Sequence, residues 1–516
     1  MIRAVPAEDG AYRLLFSSRS ADSLESSVIA PTHPDAGTMP QNGQDHHRDR
    51  LWWIAVTALV VFMLLLWFHA APLGNIHTGD TDNLVKGTRR ALACFRDDVW
   101  SACGLVRGTR FSDVFPYPAL QYIPAAVLVS NGRSDAATVT ALARVNIIAF
   151  AGTVALCAWA FAAADHRASR ALAIIAVLAS SAVYQSTAGF GEMLAAAIVG
   201  AAVVAAIKRR PVLILITIAL AAIGKDTLLP FVVVLCFLCA REEGRLLPSR
   251  SVLAALVAGA VLGGVLIVAS NEFRFGQPIN VFYLDPVFRT PGTQRTLVFF
   301  AGEWLSPSAG LLWYWPVATG ALLLCAAMTV GRFMRQPSHI MDWLPGFAIV
   351  GMTIAFTAGL AAWYSPFGWI AYGPRLSVPL MPGLVIAALH VAGTQVETTM
   401  RRVLRTVAGL TIVSALCVSA GWPQFGSAWS FAPAIQDLIA GDETCPAMMD
   451  TPIQKDIDRY FTCTHHTMWR LHSLPIDEAA TEGGGVALLG RLLLTTATVA
   501  LLVHARNVEN AEGCST

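Results

Sequence analysis

Two aspartates stand two apart in Asn75-Ile-His-Thr-Gly-Asp-Thr-Asp-Asn83, just beyond an apolar run that ends at residue 71. A carboxylate held beside apolar surface can act as a general base on a hydroxyl. Asp80 and Asp82, with His77, also offer donors for a divalent cation. Gly, Asp, Thr and Asn form turns as well, and a solvated turn accounts for the same residues. Lys225 and Asp226 interrupt an apolar run from Val212 to Ala240. A charge at a bilayer centre costs about 2.5–3.5 kcal/mol on insertion scales, so two of them there need a reason. Glu192, in Gly189-Phe-Gly-Glu192, opens the run at 193–207. An acid there suits a helix dipole and equally suits a second active-site carboxylate. Arg375 closes Trp363-Tyr-Ser-Pro-Phe-Gly-Trp-Ile-Ala-Tyr-Gly-Pro-Arg375. It can fork onto a phosphate or snorkel to an interface. Arg274, in Asn271-Glu-Phe-Arg-Phe-Gly-Gln-Pro278, is a further cation candidate.

The elements that must position these residues are apolar. Hydrophobic residues make up 55% of the 516, charged residues 14%, and mean hydropathy is +0.56. Soluble domains are nearer 45–50% apolar and 25% charged, so the expected class is an all-α polytopic membrane protein. A net charge of +2, dispersed in loops, gives no footprint for nucleic acid. Residues 1–50 are rich in Ser, Pro, Gly and Asp and read as a disordered cytoplasmic tail rather than a signal peptide. His46-His47 reads as a solvated pair.

Apolar runs at 51–71, 139–162, 171–188, 193–207, 251–270, 309–331, 343–362, 377–393, 404–421 and 486–504 are each near the length that spans ~30 Å. Short basic loops assign direction: 165–170, 208–211, 241–245, 332–335 and 401–405. Basic loops on both sides of 212–240 imply that this run goes out and returns. Each arm of about 13 residues rises only ~20 Å, which leaves Lys225-Asp226 at a recessed outer tip. Such a tip can meet the phosphate of a membrane lipid. Residues 118–130 read as a juxtamembrane helix on the outer surface. The count becomes twelve segments with both termini inside. Outer loops fall at 72–138 and 271–308 within a core of 51–421. A further loop or small cap covers 422–485, followed by the last span at 486–504 and an inner tail at 505–516. All the charged candidates then fall at the outer boundary.

The chain has ten cysteines. Cys94 and Cys103 share the first outer loop, and Cys445 and Cys463 share the last, so two disulfides or four free thiols are open. Cys157, Cys236, Cys239, Cys325 and Cys417 fall in spans and read as small apolar residues. Cys514 lies in the inner tail.

The order of these motifs resembles the GT-C class of integral membrane glycosyltransferases, which use polyprenyl-phosphate-linked sugars. Protein mannosyltransferases, the aminoarabinose transferase and cell-wall arabinosyl- and mannosyltransferases belong to it. Gly79-Asp80-Thr81-Asp82 matches an aspartate placed after the first span. Tyr117-Pro118-Ala119-Leu120 stands where the class opens a juxtamembrane helix with a His-Pro-Pro-Leu-like motif, and Arg144 matches an arginine early in the second span. Gly224-Lys225-Asp226 to Pro230 matches a lysine tip between short helices. Arg274-Phe-Gly276, Ser306-Pro307 to Gly310-Leu-Leu312 and Tyr372-Gly-Pro-Arg375 to Pro382 also resemble bacterial members. Departures are Ala119 for the second proline and Gly191-Glu192 for an Arg-x-Asp between spans three and four. The resemblance covers roughly 51–400, and 422–485 lies outside it.

The resemblance implies inverting sugar transfer at the extracytoplasmic face of the plasma (inner) membrane. The acceptor would be a glycan, a lipid or a protein of the cell envelope. Lys225 and Arg375, with Arg274, would hold the donor phosphate; Asp80 would take the acceptor proton, with Asp82 next and Glu192 as a second acid. No cofactor is required beyond a divalent cation, which the acids leave open, and no nucleotide fingerprint stands at a strand-to-helix turn. A flippase or transporter for a lipid-linked saccharide would use the same phosphate-binding residues without a base. A non-catalytic envelope scaffold would use the 422–485 loop.

Overall fold

In a computed structural model, the chain is described over residues 2–6, 12–16, 42–69, 84–89, 120, 123–129, 134–163, 166–186, 191–242, 245, 247–280, 289–290, 292–306, 310–363, 374–393, 403, 406–409 and 484–512. Residues 1–46 and 47–516 form separate compact units. In the first, β1 (Ile2–Pro6) and β2 (Tyr12–Phe16) pair antiparallel, with Ile2 opposite Phe16 and Pro6 opposite Tyr12. This hairpin departs from the all-α expectation; the described elements of the second unit are helices.

In chain order these are α1 (Asn42–His69), α2 (Ile123–Leu128), α3 (Asp135–Ala160), α4 (Arg167–Leu178), α5 (Glu192–Ile207), α6 (Pro211–Gly224), α7 (Leu229–Ala240) and α8 (Arg250–Phe275). They continue with α9 (Thr293–Leu305), α10 (Pro316–Arg335), α11 (Ile340–Ala361), α12 (Met381–Ala392) and α13 (Gly484–Glu512). α1 begins at Asn42, ahead of the first apolar residue, so polar residues continue the helix. α2 falls in the expected juxtamembrane stretch. Local signals set several ends. Ser134 caps α3 by accepting from the Ala137 N–H at 3.2 Å. Asp135 pairs with Arg89 at that positive helix end. Pro211 and Pro316 occupy first-turn positions where no amide hydrogen is needed. Gly276 ends α8 in the left-handed region at φ 66°.

Five of these helices contain stretches long and apolar enough to cross a bilayer: Arg50–Phe68, Asp135–Ala160, Arg250–Glu272, Pro316–Arg335 and Ile340–Ala361. Shorter apolar helices include α5, α6, α7 and α12. The lipid-type exterior is plain on α8, where Val257, Val261 and Val265 point outward while Gly259 and Gly263 face inward. A Cβ on Gly263 would lie 3.0 Å from both Ala222 Cβ and Leu229 Cδ1, and one on Gly259 would lie 3.2 Å from Leu215 Cα. Small residues let α8 lie against α6 at close range. α5 is buried between α3, α6, α7 and α12.

Contacts between helix ends define two faces. On one, the Arg170 guanidinium lies 4.7 Å over the Trp52 ring, and Trp52 packs 5.9 Å from His504. Arg209 reaches Glu242 at 3.4 Å, and Arg241 donates to the Met341 carbonyl at 3.3 Å. Arg332 donates to the carbonyls of Asp342, Val391 and Ala392 at 3.2–3.3 Å. His390 lies within electrostatic reach of His166, Lys208 and Arg209. Arginines crowd this face. The opposite face joins the end of α1 to α3 through Trp67 and Arg144, 5.0 Å apart. There the Ser181 N–H donates to the Tyr314 carbonyl at 2.9 Å, and the Thr290 hydroxyl donates to the Trp363 carbonyl at 2.8 Å.

The Arg209–Glu242 contact bears directly on the interrupted run. Its two flanks meet, so the chain between them goes out and returns. The turn is Lys225 followed by a 3-10 segment, Asp226–Leu228. Of the twelve expected segments, 404–421 lies almost wholly outside the described residues.

Candidate functional site

Arg375 and Glu192 come from segments 183 positions apart and meet at the face opposite the crowded arginines. Arg375 opens a 3-10 turn, Arg375–Ser377, directly before α12. Pro374 fixes the entry, and the Ser377 hydroxyl donates to its carbonyl at 2.7 Å. Glu192 is the first residue of α5, where the helix dipole favours an anion. Arg375 Nε lies 3.2 Å from Glu192 Oε1, with the side chains 7% and 11% exposed. Two charges withdrawn this far from water are tolerated because each compensates the other.

Lys225 joins them. Glu192, Arg375 and Asp226 all act on its ammonium electrostatically. Asp226 accepts from the Thr227 N–H at 2.9 Å, which holds the turn. The Asn280 amide also donates to Asp226, at 3.5 Å. Asn280 ends the turn that follows Arg274 at the last turn of α8. Arg274 is buried, its guanidinium 4.4 Å over the Phe275 ring, and it donates to Asn271 Oδ1 at 3.5 Å. Thus Glu192, Lys225, Asp226 and Arg375 form one constellation. Arg274 adjoins it through the 276–280 turn. With Arg274, three cations stand against two acids. That balance suits an anion such as phosphate.

Asp80, Asp82 and His77 lie outside the described residues, as do Cys94, Cys103, Cys445 and Cys463. Among the described residues no group of three or more His, Cys, Asp or Glu side chains is arranged to hold a metal ion. Cys157, Cys236, Cys239 and Cys325 are buried free thiols, as their apolar setting implies.

One acid escapes the sequence reading. Glu303, in the last turn of α9, is fully buried, and neither carboxylate oxygen has a hydrogen-bond partner. Burial pushes its carboxyl well above the usual carboxylate range. α9 packs on α11, where Trp304 Nε1 donates to the Thr357 hydroxyl at 3.2 Å. The available signal was an acid one residue from Trp304 in the apolar stretch Leu297–Leu305.

The helical core, its apolar exterior and the charges gathered inside one face define a polytopic helical membrane protein. No known family model and no curated protein matches the chain. Among solved structures it is similar to ArnT from Cupriavidus metallidurans, determined bound to undecaprenyl phosphate. Identity is 14%, coverage is 89% of this chain and 77% of that chain, and the TM-score is 0.42.

Proposed function

We propose that the protein is a GT-C-like glycosyltransferase of the plasma (inner) membrane, with twelve crossings. It moves a sugar from a polyprenyl phosphate to a hydroxyl of a cell-envelope glycan, lipid or protein. The observation that carries this reading is the buried Arg375–Glu192 pair with Lys225 in electrostatic reach, at the recessed tip of a helical hairpin. A recessed ammonium of this kind suits the phosphate of a membrane lipid. The crowding of arginines on the opposite face supports an extracytoplasmic site and cytoplasmic termini. The undecaprenyl phosphate bound to ArnT has the chemistry this reading requires of a donor carrier.

In the reaction, the acceptor oxygen attacks the anomeric carbon from the side opposite the phosphate. The bond from that carbon to the phosphate oxygen breaks, the polyprenyl phosphate leaves with the electron pair, and the anomeric configuration inverts. Lys225, Arg375 and Arg274 stabilise the charge that develops on the leaving phosphate. Asp80 takes the acceptor proton, with Asp82 the second choice and Glu192 the second acid of the site. A divalent cation would be held by Asp80 with Asp82 and His77. The test is transfer of labelled sugar from synthetic polyprenyl-phosphate donors by purified protein. Transfer by wild type, abolished in Asp80→Asn or Asp82→Asn and weakened in Arg375→Gln, is expected. Full transfer by both aspartate variants would exclude the assigned base. Donor binding without transfer by wild type would favour a lipid-saccharide flippase.

A further inference from the structure

The arginine-crowded face holds a second cationic constellation, distant from the proposed active site. Arg167 and Arg170 lie in the first turn and a half of α4. That helix end has no acid in its first turn and no side-chain cap from His166. Cations there oppose the helix dipole, and two of them three residues apart repel each other. Arg167 acts on Arg170 electrostatically, and among the described residues no acid does. Arg170 is half-buried; its Nε is fully buried and has no hydrogen-bond partner. Its guanidinium carbon lies 4.7 Å from the Trp52 ring centroid, and that ring also packs 5.9 Å from His504. Elements α1, α4 and α13 therefore meet around a guanidinium that has no acidic partner among the described residues, at one end of the helical bundle.

We propose that Arg167 and Arg170, at this tryptophan-backed corner, bind the phosphate of an anionic phospholipid headgroup in the leaflet that meets the arginine-rich face. An anion at the accessible ends of the two guanidiniums removes two penalties at once: the repulsion between the arginines and the opposed dipole. The terminal nitrogens of Arg170, backed by Trp52, offer the forked donors that suit phosphate oxygens. Trp52 places an amphipathic ring at headgroup depth. The acyl chains would follow the exposed apolar flank of α1, where Trp53 and Ile54 are 63% and 47% exposed.

The full-length protein in phosphatidylcholine-containing micelles is titrated with fluorescent phosphatidylglycerol. Wild type is expected to bind it with a saturable component that phosphatidylcholine does not displace. Arg167→Gln/Arg170→Gln is expected to weaken that component about thirtyfold, from two basic contacts. Arg375→Gln, at the opposite face, is expected to leave it in place, which separates this site from the proposed donor site. Equal affinity in wild type and the double variant overturns the proposal. Displacement by millimolar inorganic phosphate, with no preference for the lipid, overturns the lipid as ligand in favour of a free anion. Should the double variant not fold, the wild-type melting temperature decides. A rise on adding phosphatidylglycerol but not phosphatidylcholine, retained in Arg375→Gln, supports the site, and no rise overturns it.

Discussion

Arg375 and Glu192 each carry a charge that the other makes tolerable. Removing one leaves the other buried and uncompensated. Glu192→Gln or Arg375→Gln is therefore expected to cost about 3–5 kcal/mol of stability, read as a drop in melting temperature in detergent. Arg375→Lys is expected to recover only part of it, because a point charge on a flexible stem does not reproduce the guanidinium edge facing Glu192. Glu303 poses the opposite case. Its folded-state pKa is raised, so the folded protein holds a proton that the unfolded chain releases above about pH 4.3. Stability from this residue is greatest below that value and falls as pH rises toward the folded pKa, by at most ~1.4 kcal/mol per unit. Melting temperature should decline between pH 5 and 8 in wild type, and Glu303→Gln should flatten that decline. An unchanged slope would rule out Glu303 as the group responsible. The two cases also mark what was legible at this scale. Glu192, Lys225, Asp226 and Arg375 interrupt or border long apolar runs, where a charge has few innocent explanations. Glu303 ends a short helix that also carries Thr293, Gln294 and Arg295, so its pattern reads as a surface helix; burial by α11 is a tertiary fact.

At the scale of elements, the hairpin was legible because charge and loop polarity agreed. Basic loops on both flanks required a return, and Lys225-Asp226 fixed where it turns. The helix breaks at that point, and Arg209 meets Glu242 across the flanks. The start of α1 was not legible, since nothing apolar marks Asn42; a polar first stretch is helical only by continuity with the span that follows. The β1–β2 pairing was likewise hidden in a segment whose composition suggested disorder. Packing of the hairpin on α8 was invisible too, although its cause lies in two glycines. Gly263→Leu should force α8 from α6 and cost about 1–3 kcal/mol. Gly264→Leu, one position on, meets nothing within 4 Å and should change stability little. Comparable losses from both would mean that α8 does not approach α6 through its Gly263 face.

For the molecule as a whole, one contact constrains the topology more than any count of apolar runs. Trp52 near the start of α1 packs against His504 near the end of α13. In the proposed topology, with α1 the first crossing and α13 the last, this contact puts entry and exit on one face and requires an even number of crossings. Twelve satisfies this, while eleven and thirteen do not. The same face gathers Arg167, Arg170, Arg209, Arg241, Arg245 and Arg332, and basic residues in short loops are retained in the cytoplasm. In the proposed orientation Glu192, Lys225, Arg274 and Arg375 approach the outer surface. Two exposed positions test this in a background whose cysteines outside the spans are replaced by serine. Gln277 follows Arg274 at one face, and Ser249 precedes α8 at the other. The buried thiols Cys157, Cys236, Cys239 and Cys325 should stay silent toward an impermeant maleimide. Gln277→Cys is expected to label in intact cells, and Ser249→Cys only after permeabilisation. The reverse pattern would turn the site toward the cytoplasm, where a nucleotide-activated donor would replace the lipid-linked one as the first substrate to test.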